Sequence, residues 1–341
     1  MSPPTSPPAP PPRPSPAPPS APPGPVAAIG VHIVDILARP IDHIPDGQGT
    51  ALVEQIRVTA AGSAAGTAVD LVKLGVHPVT CHGAIGDDEL GDLLLAVLGR
   101  HGVDTTGLAR RTGGQTAASI LPIRPDGGRP SFHVPGENLS VTPADVDPGA
   151  VLGARAVHLG GMDVTFALND PGFFDLLDRA RAGGTVVTMD LLSEMADLLV
   201  AAKAFLPHVD YVLPNLSQAL AMTGAADAEG AARALLGEGV AGALITLGGE
   251  GSLVATAGPD GPRVERVPAL PVPVVDTTGC GDAYCAGFIT GLLHGHDVST
   301  AARWGTAAAA RTATGLGSDA GIADLGSTLE LLDQAPAPDG A

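Results

Sequence analysis

From residue 154 onward the sequence alternates between short apolar runs and longer stretches whose apolar residues recur every three or four positions. "ARAVHLGG", "TVVTMD", "VDYVLPN" and "GALITLG" read as strands, and "PGFFDLLDRARAGG", "LSQALAMTG" and "AEGAARALLGEG" as helices. Strands that alternate with helices need crossover connections, so they lie parallel in one sheet and present ligands at their C-terminal ends. The first half fits the same scheme. "VAAIGVHIVDIL" at 26–37 is a nearly continuous apolar run broken by Asp35, as expected of a buried strand with a functional residue at its C-terminal end. "SAAGTAVDLVKLG" predicts a helix, "HPVTCHGAIG" the next strand, and "DDELGDLLLAVLGRHG" an amphipathic helix closed by a basic residue and glycine. Asp35, Gly161, Asp190, Asn215 and Gly248 all fall at expected strand ends. Residues 113–137, around "RPDGGRP", are hairpin-like, and with residues 50–60 they predict a small β-layer outside the main sheet.

Residues 1–25 stand apart. They are Pro, Ser and Ala with one arginine and no apolar run, so they can neither bury a core nor serve as a secretory signal, and residues 336–341 form a second disordered end. The expected fold therefore occupies 26–335. Net charge is −18, which argues against nucleic acid or an anionic membrane as a partner. No apolar run is long enough to predict a membrane span. Lys73 and Lys203 are the only lysines and neither follows a glycine, so the lysine-bearing phosphate loop is excluded. Three cysteines make a poor disulfide scaffold and point to a reducing cytoplasm, and the histidines form no zinc motif.

"DTTGCGDAYCAGF" at 276–288 places a polar, glycine-rich turn directly before a helix. A first-turn aspartate is favoured by the helix dipole whatever a protein does. Glycines on both sides of Cys280 add something further: backbone N–H groups that converge on one point, where an anion is held. An aspartate at the rim of an anion cradle suits phosphoryl transfer, with Asp282 accepting the proton of an attacking hydroxyl. Cys280, at a helix N-terminus, is expected to be a moderately reactive thiol, the nearby aspartates opposing its ionisation.

These residues resemble the ribokinase-like (PfkB-type) carbohydrate kinase family. "DTTGCGDAYCAGF" matches its C-terminal signature, and the stretch from "AAGSAAG" to "GVDTTGL" is similar to its N-terminal one, with "LPNLSQALAMTG" and "ITLGGEGSLV" between them. The resemblance covers about residues 26–325. It implies an α/β three-layer sandwich with a mainly parallel sheet and a small β-sheet lid, and an ATP-dependent sugar kinase. It further implies Asp282 as base, with Gly279, Cys280 and Gly281 supplying N–H groups to the phosphoryl. Asp35, Gly62, Gly66 and Asn138 would meet the acceptor, and Asn215, Thr246, Gly248 and Gly251 would line the ATP site. Mg²⁺ would lie near Asn215 and Gln218, and K⁺ near Asp276 with backbone carbonyls around Gly315 and Ser318. A homodimer through the lid is also implied.

The departures bear on the acceptor. Ile33 stands where the family often has asparagine, Ala61 and Gly66 alter the glycine-rich acceptor turn, and Gln218 replaces the glutamate of "PNxxE". Two amides that would recognise a small pentose are gone, which favours a nucleoside or a substituted sugar. A dinucleotide-binding dehydrogenase would need GxGxxG after the first strand, and "GVHIVDIL" lacks it. A catalytically silent sugar or nucleotide sensor is opposed by the intact Asp282 and its glycine turn.

Overall fold

A computed structural model describes residues 23–126, 128–259 and 261–334. The expected disordered ends, but for Pro23 to Pro25, lie outside the described residues. Already at Pro25 the chain belongs to the fold, because the Arg155 N–H donates to the Pro25 carbonyl at 2.8 Å.

The strands are β1 Val26–Gly30, β2 Ile33–Arg39, β3 Gln55–Ala61, β4 Val79–Gly86, β5 Asp104–Arg111, β6 Ala118–Pro122, β7 Phe132–Val134, β8 Ala156–Gly160, β9 Val186–Asp190, β10 Tyr211–Val212, β11 Gly242–Thr246, β12 Ser252–Thr256 and β13 Arg263–Val267. The helices are α1 Ser63–Lys73, α2 Glu89–Arg100, α3 Pro148–Gly153, α4 Pro171–Ala182, α5 Ala196–Ala202, α6 Leu216–Thr223, α7 Ala228–Gly237, α8 Cys280–Leu293, α9 Val298–Ala313 and α10 Leu325–Gln334. Nine strands form one sheet in the order β13-β12-β11-β10-β9-β8-β1-β4-β5. All its pairs are parallel except β11 with β12 and β12 with β13.

Alternate residues of β1 enter different cores. Ala27 and Ile29 pack with the layer that includes α4 and α7, and Val26 and Ala28 with the layer that includes α1 and α8. A strand buried on both faces reads as an unbroken apolar run, which is why β1 was legible. The same logic misleads at 26–37. That run is two strands in two sheets, not one. β2 pairs with β3 and β6 in a four-stranded sheet of order β3-β2-β6-β7, which is the expected lid with one strand more. Asp35 therefore sits mid-strand in the lid, not at the end of a main-sheet strand. The break is fixed from outside the run: the Asn138 side chain accepts from the His32 N–H at 3.0 Å and donates to the His32 carbonyl at 3.1 Å. β5, which the sequence reading did not anticipate, extends the main sheet beyond β4.

Candidate active site

The C-terminal ends of the parallel strands, the N-terminus of α8 and the inner face of the lid enclose a cleft of about 610 Å³. It opens into a narrower, mostly apolar recess of about 230 Å³ lined by Gly248, Gly249, Leu270, Val272, Val274 and Ala309 among others. Thr246, Gly248, Thr277, Cys280 and Gly281 border both.

Asp282 lies in the first turn of α8. Burial and the charge of Asp35 raise its carboxyl to about 7, against the pull of Arg129. The chain can enter α8 at this angle because Gly279 takes φ 78°, and a Cβ there would meet Ser318 at 2.4 Å. Cys280 N–H is already spent on the Thr277 carbonyl at 3.3 Å, and Ala283 N–H on Gly279 at 2.9 Å. Gly279, Gly281 and Asp282 keep N–H groups without a protein acceptor among the described residues, so these three, more than Cys280, are open to an anion. The Cys280 thiol is corrected too. It is pushed up to about 12 by burial and by Asp276, Asp282 and Asp70, and its Sγ–H donates to the Ala309 carbonyl at 3.5 Å. Both effects favour the protonated thiol over the thiolate, against the expected reactivity.

Gly66 does not line the cleft. A Cβ there would fall 2.3 Å from Asp282 Oδ2, so this glycine is the space into which the carboxylate packs, and an asparagine has no room. Thr67 Oγ1 donates to the Asp282 carbonyl at 3.3 Å, joining α1 to α8. Behind them Asp70 is fully buried with neither carboxylate oxygen hydrogen-bonded, and burial pushes it well above the usual carboxylate range. Gly62 caps α1 and borders the cleft. Asp35 faces the cleft from the lid, raised to about 6 by burial despite a hydrogen bond from Ser119. Register aligns Asp35, Ser119 and His133 directly across β2, β6 and β7, and Ser119 Oγ lies 3.1 Å from His133 Nδ1. Asn138 is corrected: it is buried, does not border the cleft, and uses its amide on His32.

Asn215 and Gln218 cap α6 reciprocally, each side-chain oxygen accepting from the other's N–H, at 2.8 and 2.9 Å. Gln218 Nε2 also donates to the Ser193 carbonyl at 3.2 Å, which a glutamate could not do. Both polar atoms of the Gln218 side chain are thus engaged within the protein, one with Asn215 and one with Ser193. Asp190, at the end of β9, borders the same cleft; burial and then Asp282 raise it well above its ordinary value. Asp276 holds the cradle from below, accepting from Thr278 N–H at 3.0 Å and Oγ1 at 2.8 Å and from Gly317 N–H at 2.9 Å. Gly251 turns the chain from β11 into β12, and a Cβ would strike the Val267 carbonyl at 2.0 Å. Sequence reasoning missed Arg129, Ser119 and His133, because a lid hairpin shows its alternation but not the face it turns to the cleft.

A family model described as pfkB family carbohydrate kinase matches residues 26–324. The ATP-dependent ribose-1-phosphate kinase of Halopiger xanaduensis is 29% identical over 279 residues, covering 80% of this chain and 86% of that protein. The fructokinase of Klebsiella pneumoniae is 28% identical over 282 residues, with 80% and 86% covered. The solved structure of Arabidopsis thaliana ribokinase, complexed with ribose and ATP, superposes with a TM-score of 0.73 at 24% identity, covering 92% of this chain and 99% of that one. That last likeness is one of fold.

Proposed function

The chain belongs to the pfkB family of carbohydrate kinases, and from that premise we propose that it transfers the γ-phosphoryl group of ATP to a hydroxyl of a sugar or sugar-containing small molecule, Asp282 taking the proton. The observation that carries this reading is the pairing, in one helical turn, of open N–H groups with a carboxyl raised to about 7. A base works best when its pKa lies near the working pH. The acceptor oxygen attacks the γ-phosphorus, its proton passes to Asp282, and the bond from phosphorus to the β,γ-bridging oxygen breaks to release ADP. N–H groups at Gly279, Gly281 and Asp282 offset charge on the equatorial oxygens. Asp35 orients acceptor hydroxyls. The recess along Val272, Val274 and Ala309 suits an adenine, with the phosphates running past Thr246 and Gly248 toward α8.

Mg²⁺, when bound, would supply positive charge to the phosphates. It usually keeps several waters and takes one or two carboxylates, and Asp190, which borders the cleft, would hold it. K⁺ beside Asp276 would be held by backbone carbonyls of the 315–318 loop. A second copy of the chain packs on the outer lid face, where Ile56, Ile120 and Phe132 are 67%, 55% and 62% exposed. The charge of −18 disfavours nucleic acid and anionic membrane as partners, and no described helix is long and apolar enough to cross a membrane. Free cysteines suit the cytoplasm. A nucleoside acceptor is the second reading, favoured by Ile33 and Leu121 in the cleft wall.

The test is ATP consumption against a panel of sugars and nucleosides, with Asp282→Asn beside the wild type. Asp282→Asn should keep the fold and ATP binding and lose about two to four orders of magnitude in turnover. Turnover within threefold of wild type would remove Asp282 from the reaction.

A further inference from the structure

The turn between β6 and β7 carries Arg129 into the lid side of the cleft, where it is the only lysine or arginine among the described lining residues. Three carboxylates, Asp35, Asp190 and Asp282, border the same space. Among the described residues Arg129 has no carboxylate partner, and its one hydrogen bond, Nη1 to Thr278 Oγ1, is 3.5 Å long. Other arginines of this acidic chain are tied down: Arg57 to Asp319 at 2.8 Å, Arg111 to Asp145 at 2.7 Å and Arg181 to Asp210 at 3.0 Å. The Arg129 charge pulls on Asp35 and Asp282 without forming an ion pair with either, so its planar fork keeps two donors for an oxyanion.

Its neighbours suit the same ligand. Ser131 and His133 border the cleft beside it. His133 lies two strands from Asp35 in direct register, a span of roughly 9–10 Å at ordinary strand spacing. That is wider than one sugar ring and is matched by a ring with a charged substituent. Ile33, Leu121 and Leu192 wall the space between and offer nothing to further hydroxyls.

We propose that the acceptor is an anionic sugar, bearing a phosphate or a carboxylate, and that Arg129 receives this group with Ser131 and His133 while Asp35 holds the hydroxyl to be phosphorylated. The inference rests on the kinase reading above and names its substrate class.

The test uses the full chain with ATP and Mg²⁺ against ribose, ribose 5-phosphate, fructose, fructose 6-phosphate and gluconate. Binding is followed separately by the thermal shift each probe causes without ATP. At least one anionic probe should exceed its neutral parent about 100-fold in kcat/KM, and the phosphate and gluconate arms tell which oxyanion is read. Arg129→Gln should raise the KM for that probe by about 10- to 100-fold, the scale of losing a charge-assisted contact, with KM for ATP within about twofold. Arg124→Gln, on the same turn but outside the cleft, is the control, and Arg129→Lys should recover part of the loss. Neutral sugars turned over as well as their anions would overturn the proposal and leave the kinase standing. So would a rise in KM for ATP alone, which would assign Arg129 to the nucleotide. No turnover with any probe, but a thermal shift from anionic sugars that Arg129→Gln abolishes, would fail the kinase reading and with it the phosphorylated hydroxyl at Asp35, and keep only Arg129 as the receptor of the oxyanion. Neither turnover nor shift from the anionic probes overturns it.

Discussion

At Asp282 the geometry and the electrostatics make separate claims. A base must be ionised to accept a proton, and this carboxyl is raised to about 7 by burial and by Asp35. Activity measured as kcat/KM should therefore fall as pH drops below about 7 and level off above it. A profile flat from pH 5 to 8 would show that no such group controls the step. Gly66 is the second test. A methyl at 66 would lie 2.3 Å from the Asp282 carboxylate, and the flexible carboxylate, not the helix, must yield. Gly66→Ala should cost about 10²-fold in kcat, the scale of a base misplaced by an ångström, with little change in Tm. Wild-type kcat would mean that the carboxylate reacts from another position. Neither effect was legible in the sequence. Gly66 looked like a depleted acceptor contact because the carboxylate that fills its place, Asp282, arrives from α8, and the Cys280 thiol, expected to be opposed by its neighbouring aspartates, is pushed up further by Asp70 from α1.

The lid is an element whose placement depends on one amide. β2 continues from β1 after only two residues, yet it belongs to another sheet, and Asn138 grips the His32 backbone between them across 106 positions of sequence. Asn138→Ala removes two buried hydrogen bonds and leaves both His32 backbone groups unpaired. It should lower stability by about 2 kcal/mol and raise the KM for the acceptor more than that for ATP, since Asp35 rides on β2. Calorimetry and acceptor titration check this, and equal rises in the two KM values would separate the clamp from the lid. β2 escaped the sequence reading for a physical reason. Both strands are buried and apolar, and periodicity records burial, not which sheet does the burying.

For the molecule as a whole, the outer lid face carries the proposal of a second copy. Ile56, Ile120 and Phe132 expose apolar area on strands that pair in one sheet, and Phe132 sits directly opposite Ile120. Phe132→Asp should convert a dimer to a monomer in sedimentation at micromolar concentration without lowering Tm. A wild-type chain that sediments as a monomer would end the idea. By itself the sequence determined the mainly parallel sheet, the helices α4, α6 and α7 between its strands, though not α5, α9 or α10, and the 276–288 turn before α8. Each of these is a local pattern, of period two, of period 3.6 or of glycine and aspartate at fixed offsets, and neighbours in sequence suffice to produce it. Only the tertiary structure decided that Asn138 is a clamp, that Gln218 is spent on Asn215 and Ser193, and that Arg129 faces Thr278 from 149 positions away. Those roles depend on which distant groups share a low-dielectric cleft, and the folded chain alone brings them together.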